Sequence, residues 1–262
     1  LAVLFAPPLA QAYGWQAVYG FGALTMILPF AVMVFFAKEP PDRGGHTLKE
    51  HVACLWEKDG WVFNAVYIVT FGGFIGLSSF LPTYFHDQFG VTKIQAGQLT
   101  MLAALMGSGV RVVGGYLSDR WGGINMLTVI FIGVVGLMAI LGQGLSLWTT
   151  TILFMFCFAC LGAGNGSLFQ LVPLRWPTTT AVAGSMIGEI GALGGGFIPN
   201  AMGISKQQTG SFAWGFFSFA AFAVVMLVIM RVAQRKLAGT WVGEGGRALP
   251  KVEHYRVVIP SL

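Results

Sequence analysis

The chain has 262 residues, of which 55% are hydrophobic and only 10% charged, against about a quarter charged in ordinary soluble domains. That balance excludes a soluble globular enzyme or binding module and marks an integral membrane protein. The net charge of +5 does not point to nucleic acid either, because the basic residues sit in short gaps between apolar runs, as membrane topology requires.

Taken in order, the opening residues LAVLFAPPL read as the last turns of a helix already under way, with no initiator methionine and no signal-peptide n-region. A fragment lacking its upstream part is therefore expected. A polar turn at 11–16 leads into a full span at about 19–37. Residues 38–60 are the longest hydrophilic segment before the C-terminus. Pro40-Pro41 stops the preceding helix, and the segment reads as a linker between two halves. Six further apolar runs follow at about 61–85, 94–117, 124–142, 147–172, 180–200 and 211–232, each of 19 residues or more. All are long enough to cross a bilayer as helices, and 233–262 remains as a polar tail.

Sidedness comes from the basic residues. With 38–60 on the cytoplasmic side, Lys38, Arg43, Lys49 and Lys58 fall inside together with Arg120, Arg175, Arg231, Arg235, Lys236, Arg247, Lys251 and Arg256. Only Lys93 and Lys206 fall outside, so the division is twelve to two, and the tail is cytoplasmic. Arg111 alone is left within a span.

The stretch 107–123, GSGVRVVGGYLSDRWGG, gives that arginine a depth. With Asp119 and Arg120 at the cytoplasmic edge, a rise of 1.5 Å per residue puts Arg111 roughly 12 Å inward, near the middle of a core about 30 Å thick. A charge there costs on the order of 3 kcal/mol or more, so it is kept where it faces a cavity or a partner. Its helical neighbours Gly107, Ser108, Gly114 and Gly115 form a small or polar stripe, unlike a lipid-facing surface. The competing reading is an arginine that snorkels or pairs with a neighbouring helix.

Residues 115–122, GYLSDRWG, resemble the G-x-L-x-D-R-x-G loop of major facilitator transporters. The stretch 184–203, GSMIGEIGALGGGFIPNAMG, is similar to the glycine-rich signature of the nitrate/nitrite porter family in its eleventh helix. YIVTFGGFIG at 67–76, Arg111 and GAGNGSLFQ at 162–170 are similar to that family's seventh, eighth and tenth helices. The resemblance implies an all-α, major facilitator-type helix bundle: a remnant of helix 5 and helix 6 in 1–37, a cytoplasmic linker in 38–60, and the six-helix C-terminal half in 61–232. It further implies an anion site at midplane between two pseudo-symmetric halves. The missing N-terminal half would carry a second arginine, and the fragment alone would not transport.

Nitrate suits such a site. It is a planar monoanion with three equivalent oxygens, and a guanidinium is a permanently charged planar fork that matches two of them at once. Tyr67, with Thr70 just before Gly72-Gly73, offers a phenol that can donate one hydrogen bond to an anion oxygen. The alternative for Tyr67 is an interfacial belt residue, a level already held by Trp61. In the tenth helix Asn165 and Gln170 are polar in an apolar run, and Phe169 shares a face with Asn165. The family implies an aromatic there that stacks on the anion; equally, Asn165 bonds across helices and Phe169 is core.

Gly184, Gly188, Ala192 and Gly196 recur at spacing four, a ridge for close helix packing, with Gly191, Gly194 and Gly195 adding freedom at a rocking interface. Glu189, inside that signature, departs from the small or hydroxyl residue the family pattern leads one to expect. It is either a proton carrier or half of a permanent ion pair with Arg111 or with the missing arginine. Asp119 and Arg120 read as a conformational latch at the inner helix ends. Cys157 and Cys160 have redox spacing but lie in a membrane helix without βαβ context, so they read as packing. The histidines, at 46, 51, 86 and 254, fall in loops or tails. No cofactor, metal site or catalytic set is expected.

The sequence thus reads as a secondary transporter of nitrate, and of nitrite, in the cell inner membrane, working as an exchanger or a proton symporter. Its partners are the anion, the lipid bilayer and the missing half, not nucleic acid. A transporter of another small anion or an organic acid, and a transport-inactive membrane scaffold or sensor, stay open as alternatives.

Overall fold

A computed structural model describes residues 2–38, 56–239 and 242–248. Most of the expected linker, 39–55, and the end of the tail lie outside them. Apart from one bridge between Ala238 and Val242, the described residues contain no strand. Seven of their helical segments are long and apolar enough to cross a membrane.

In chain order a short helix, α1 (Ala2–Tyr13), precedes the seven, which begin with α2 (Trp15–Phe36) and a 32-residue span made of α3 (Lys58–Tyr67), a π-helical turn over Ile68–Gly72 and α4 (Gly73–Phe89). They continue as α5 (Lys93–Trp121), α6 (Gly123–Leu141) and α7 (Leu147–Arg175). Another long span joins α8 (Thr180–Leu193), a 3₁₀ turn over Gly194–Gly196 and α9 (Phe197–Thr209); α10 (Ala213–Leu237) follows. Helix ends carry their own signals. Thr92 and Gln95 form a reciprocal capping box at the start of α5, and Gly90 and Gly210 take the left-handed conformation at the ends of α4 and α9. The helices outrun the apolar runs by several residues at these ends, because backbone hydrogen bonding continues into the polar edge where hydropathy has already dropped.

α2 buries none of its residues within the chain, and α1 lies against α2 and α5. The tightest pair is α5 with α7. A Cβ at Gly162 would overlap the Gly107 carbonyl oxygen, one at Gly114 the backbone of Ala163, and one at Gly166 the Arg111 carbonyl oxygen. The small residues flanking Arg111 therefore serve helix packing: Gly107 and Gly114 are buried against α7 and do not line a cavity. Ser167 adds a hydroxyl that donates to the Ala163 carbonyl at 2.8 Å and reaches the Gly114 carbonyl at 3.5 Å.

The two irregular turns nest against each other. A Cβ at Gly72 would lie 2.7 Å from the Gly194 Cα, one at Gly194 2.8 Å from the Ile68 carbonyl oxygen, and one at Gly76 2.9 Å from that of Gly195. Residues that pack on their backbones have no room for side chains, and the Gly73 amide shares the carbonyls of Ile68, Val69 and Thr70. The expected ridge at spacing four is thus redistributed. Gly184, Gly191, Gly194 and Gly195 meet neighbours inside the chain, whereas Gly188 and Gly196 have nothing within 4 Å. Contact with α3 and α4 rotates the packed stripe of α8 and α9 away from the 184–188–192–196 line.

Rigid packing closes both ends. At one end Tyr84 is ringed by Phe85, Phe154, Phe212 and Phe216 at centroid distances of 5.7, 5.7, 5.3 and 5.4 Å. At the opposite end Arg175 binds Asp59 at 3.0 Å and also Glu57, tying the end of α7 to the start of α3, and Trp176 stands edge-on to Phe63 at 5.2 Å. Beyond α10 the chain folds back: Val242 is fully buried, and Gly245 and Gly246, at φ of 71° and 82°, pack on the turn at Gly122 and on Ile124.

Candidate anion-binding site

Three spans bring their polar or aromatic residues to one place. Tyr67 ends α3 just before the π-turn and is buried, with 2% of its surface exposed. Arg111 lies in the middle of α5, and its Nη2 donates a long hydrogen bond of 3.5 Å to the Tyr67 hydroxyl. That geometry leaves the phenol proton free to be donated elsewhere, and it leaves most of the five guanidinium donors unused. Arg111 itself is exposed on a face that no other part of the described chain covers. A cation presented this way, next to a second donor, has the chemistry to receive a small anion.

The Tyr67 ring is held by aromatic neighbours. Phe71 stacks on it with centroids 4.8 Å apart and planes 12° from parallel, and Phe169 of α7 stands at 5.4 Å and 83°. A Cβ at Gly191 would overlap Cδ1 of the same ring, and one at Gly184 would come within 3.2 Å of Phe169 Cε1. Asn165, one turn before Phe169, is buried at 2% exposure, and its Oδ1 has no hydrogen-bond partner. A buried amide oxygen without a partner is costly, which marks this spot as one where a donor belongs. Thr70 is turned away from the cluster, with its hydroxyl toward the Val66 carbonyl at 3.4 Å and its methyl against Gly164.

Four expected residues, Arg111, Tyr67, Asn165 and Phe169, thus lie on the helices that surround this point, and Arg111, Tyr67 and Phe169 are directly linked. Phe71 is the residue the sequence reading missed. Its signal was its spacing of four from Tyr67, obscured because the π-turn changes which residues align. Glu189 is exposed, in the same open state as Arg111, and forms no ion pair with it. Asp119 and Arg120 are exposed as well; the Arg120 guanidinium lies 4.6 Å from the centre of the Tyr116 ring. Cys157 and Cys160 are free thiols, the first buried. A groove of about 640 Å³ between α9 and α10, bordered by Phe197, Asn200, Ile204 and Trp214, lies on other helices and brings no charged residue.

Comparison with known proteins places this geometry in a family. The model of the Major Facilitator Superfamily matches residues 1–199. The "Nitrite extrusion protein" of Bacillus subtilis is 27% identical over 229 residues, covering 86% of this chain and 57% of the relative. A "Probable nitrate transporter NarT" of Staphylococcus epidermidis is 30% identical over 231 residues, covering 86% and 58%. The "Probable nitrate/nitrite antiporter NarK1" of Thermus thermophilus is 29% identical over 197 residues, covering 68% and 44%. The chain therefore spans about half to three fifths of the length of these relatives. Among solved structures, the E. coli fucose:proton symporter FucP superposes with a TM-score of 0.64 at 17% identity, over 87% of this chain and 58% of that one; this likeness concerns the fold. Seven spans long and apolar enough to cross a bilayer, in a chain with bacterial relatives of this family, make it a multi-pass protein of the inner membrane. By the family model and by its fold, the chain belongs to the major facilitator superfamily.

Proposed function

We propose that the chain carries the C-terminal part of an alternating-access transporter for nitrate, and for nitrite, with the anion held between Arg111 and Tyr67 against the rings of Phe71 and Phe169. The observation that carries the reading is the exposed Arg111 guanidinium hydrogen-bonded to the hydroxyl of the buried Tyr67. A planar oxyanion accepts two parallel bonds from the guanidinium and a third from the phenol, and its flat face suits an aromatic neighbour. The names of the relatives support the same substrate. The second half of the site comes, on this reading, from an N-terminal half of the same polypeptide that packs over the face bearing Arg111, Gly188 and Glu189. The transporter works as a nitrate/nitrite exchanger or a nitrate/proton symporter.

The test is nitrate and nitrite uptake into proteoliposomes by the polypeptide with both halves, beside its Arg111→Lys variant. Lysine keeps the charge and loses the fork, so uptake efficiency is expected to fall about ten- to a hundredfold, the value of one charge-assisted hydrogen bond. Unchanged uptake in the variant removes Arg111 from the anion site.

A further inference from the structure

We infer that Gly191 is a positioning residue for Tyr67: the bare backbone at 191 is the seat on which the tyrosine ring rests, and it fixes where the phenol meets the anion. The inference rests on the anion-binding role proposed above for Tyr67, and it gives a reason for one signature glycine that helix packing alone does not.

The geometry is specific to the root of the side chain. A Cβ on Gly191 would overlap Tyr67 Cδ1 and stand 3.0 Å from Cγ and 3.2 Å from Cβ. A methyl group against the far tip of a side chain is relieved by a small rotation. Against Cβ and Cγ it is not, because those atoms move only with the helix backbone or with a change of rotamer. The ring has little freedom for such a change, since Phe71 stacks flat on it and Phe169 stands beside it. The backbone route is narrow too: Tyr67 opens onto the π-turn, where Gly72 already touches the Gly191 carbonyl oxygen at 2.8 Å and the Gly194 Cα at 2.7 Å from its notional Cβ. Alanine at 191 must therefore move the phenol away from the Arg111 Nη2 it now meets at 3.5 Å.

The other signature glycines differ. Gly184 faces only the far edge of Phe169, Gly195 faces Ile75, and Gly188 has nothing within 4 Å. Of the four, Gly191 alone bears on the polar group of the site. Its effect on the anion should accordingly pass through Tyr67 and vanish when the ring is absent.

The experiment is a double-mutant cycle in the polypeptide with both halves, comparing Gly191→Ala, Tyr67→Ala and the pair, with two readouts. The first, melting temperature of the solubilised protein without substrate, tests the seat alone. Gly191→Ala is expected to lower it by about 2 to 4 °C when Tyr67 is present and by little when position 67 is alanine. If the single variant fails to accumulate in the membrane and the double variant does accumulate, the same coupling has been read as yield. The second readout is the nitrate half-saturation concentration, expected to rise about tenfold in Gly191→Ala, as in Tyr67→Ala, with no further rise in the pair. Equal loss of melting temperature in both backgrounds, failure of both variants to accumulate, or an unchanged half-saturation in Gly191→Ala beside a raised one in Tyr67→Ala overturns the inference. A wild-type protein that takes up no nitrate defeats the transport reading instead, and the melting-temperature coupling then decides the seat by itself.

Discussion

Arg111 and Tyr67 show how a residue's chemistry and its depth combine. The arginine was legible from sequence because a permanent charge nine residues inside a polar helix end has no ordinary place in a bilayer. Tyr67 was legible because a phenol in an apolar run needs a use for its hydroxyl, and the structure supplies one in Arg111. Glu189 is the residue on which the two proposed modes of coupling differ. It stands exposed on the open face and forms no ion pair with Arg111, which leaves the carrier reading or a pairing with a residue of the other half. Glu189→Gln keeps the shape and removes the titratable group. On the symport reading, uptake driven by a pH gradient in proteoliposomes is lost while nitrate/nitrite exchange continues. Full retention of the pH-driven component removes Glu189 as a proton carrier.

At the scale of the element, the seven spans were visible in hydropathy alone, but their internal irregularities were not. A π-turn over Ile68–Gly72 and a 3₁₀ turn over Gly194–Gly196 exist because two segments more than a hundred residues apart press glycine on glycine. No local window contains that information. Phe71, which lies in that π-turn and stacks on Tyr67, was not singled out from the sequence. The same cause explains the ridge at spacing four, which assumed one straight helix and one partner. The α5–α7 contact carries a prediction at this scale. Gly162→Val pushes a branched side chain into the Gly107 carbonyl and should cost about 3 kcal/mol or more, beyond ordinary overpacking, because backbone cannot repack. The check is loss of folded protein in detergent and a lower melting temperature, whereas Gly136→Val, with open space at its Cβ, should leave both nearly unchanged.

Over the molecule as a whole, the described chain is stapled at its ends and bare on one side. Sequence reading gave the membrane class and the family, since those depend on composition and contiguous motifs. It did not give the staple at Arg175, because that residue was counted only as one of the basic residues that set the topology, and its partners Glu57 and Asp59 lie more than a hundred residues earlier. Their side chains retain about a third of their exposure and that of Arg175 about a quarter, so solvent screening limits the pair to roughly 1 kcal/mol. Arg175→Gln is expected to lower stability by about that amount, and added salt should shrink the difference between variant and wild type. A loss several times larger, insensitive to salt, would mean that the pair is shielded from water.

The carbonyl-to-glycine contacts between α5 and α7 leave no compressible side-chain layer between the two helices, so they behave as a single beam. Arg111 rides on that beam. Tyr67 sits at the edge of the π-turn, where the hydrogen-bond ladder changes register and a helix bends most readily. Any flexing of the chain is therefore registered first as a change in the gap between two donors, and on the anion-binding role proposed above an anion bridging that gap would act as the strut that sets its width.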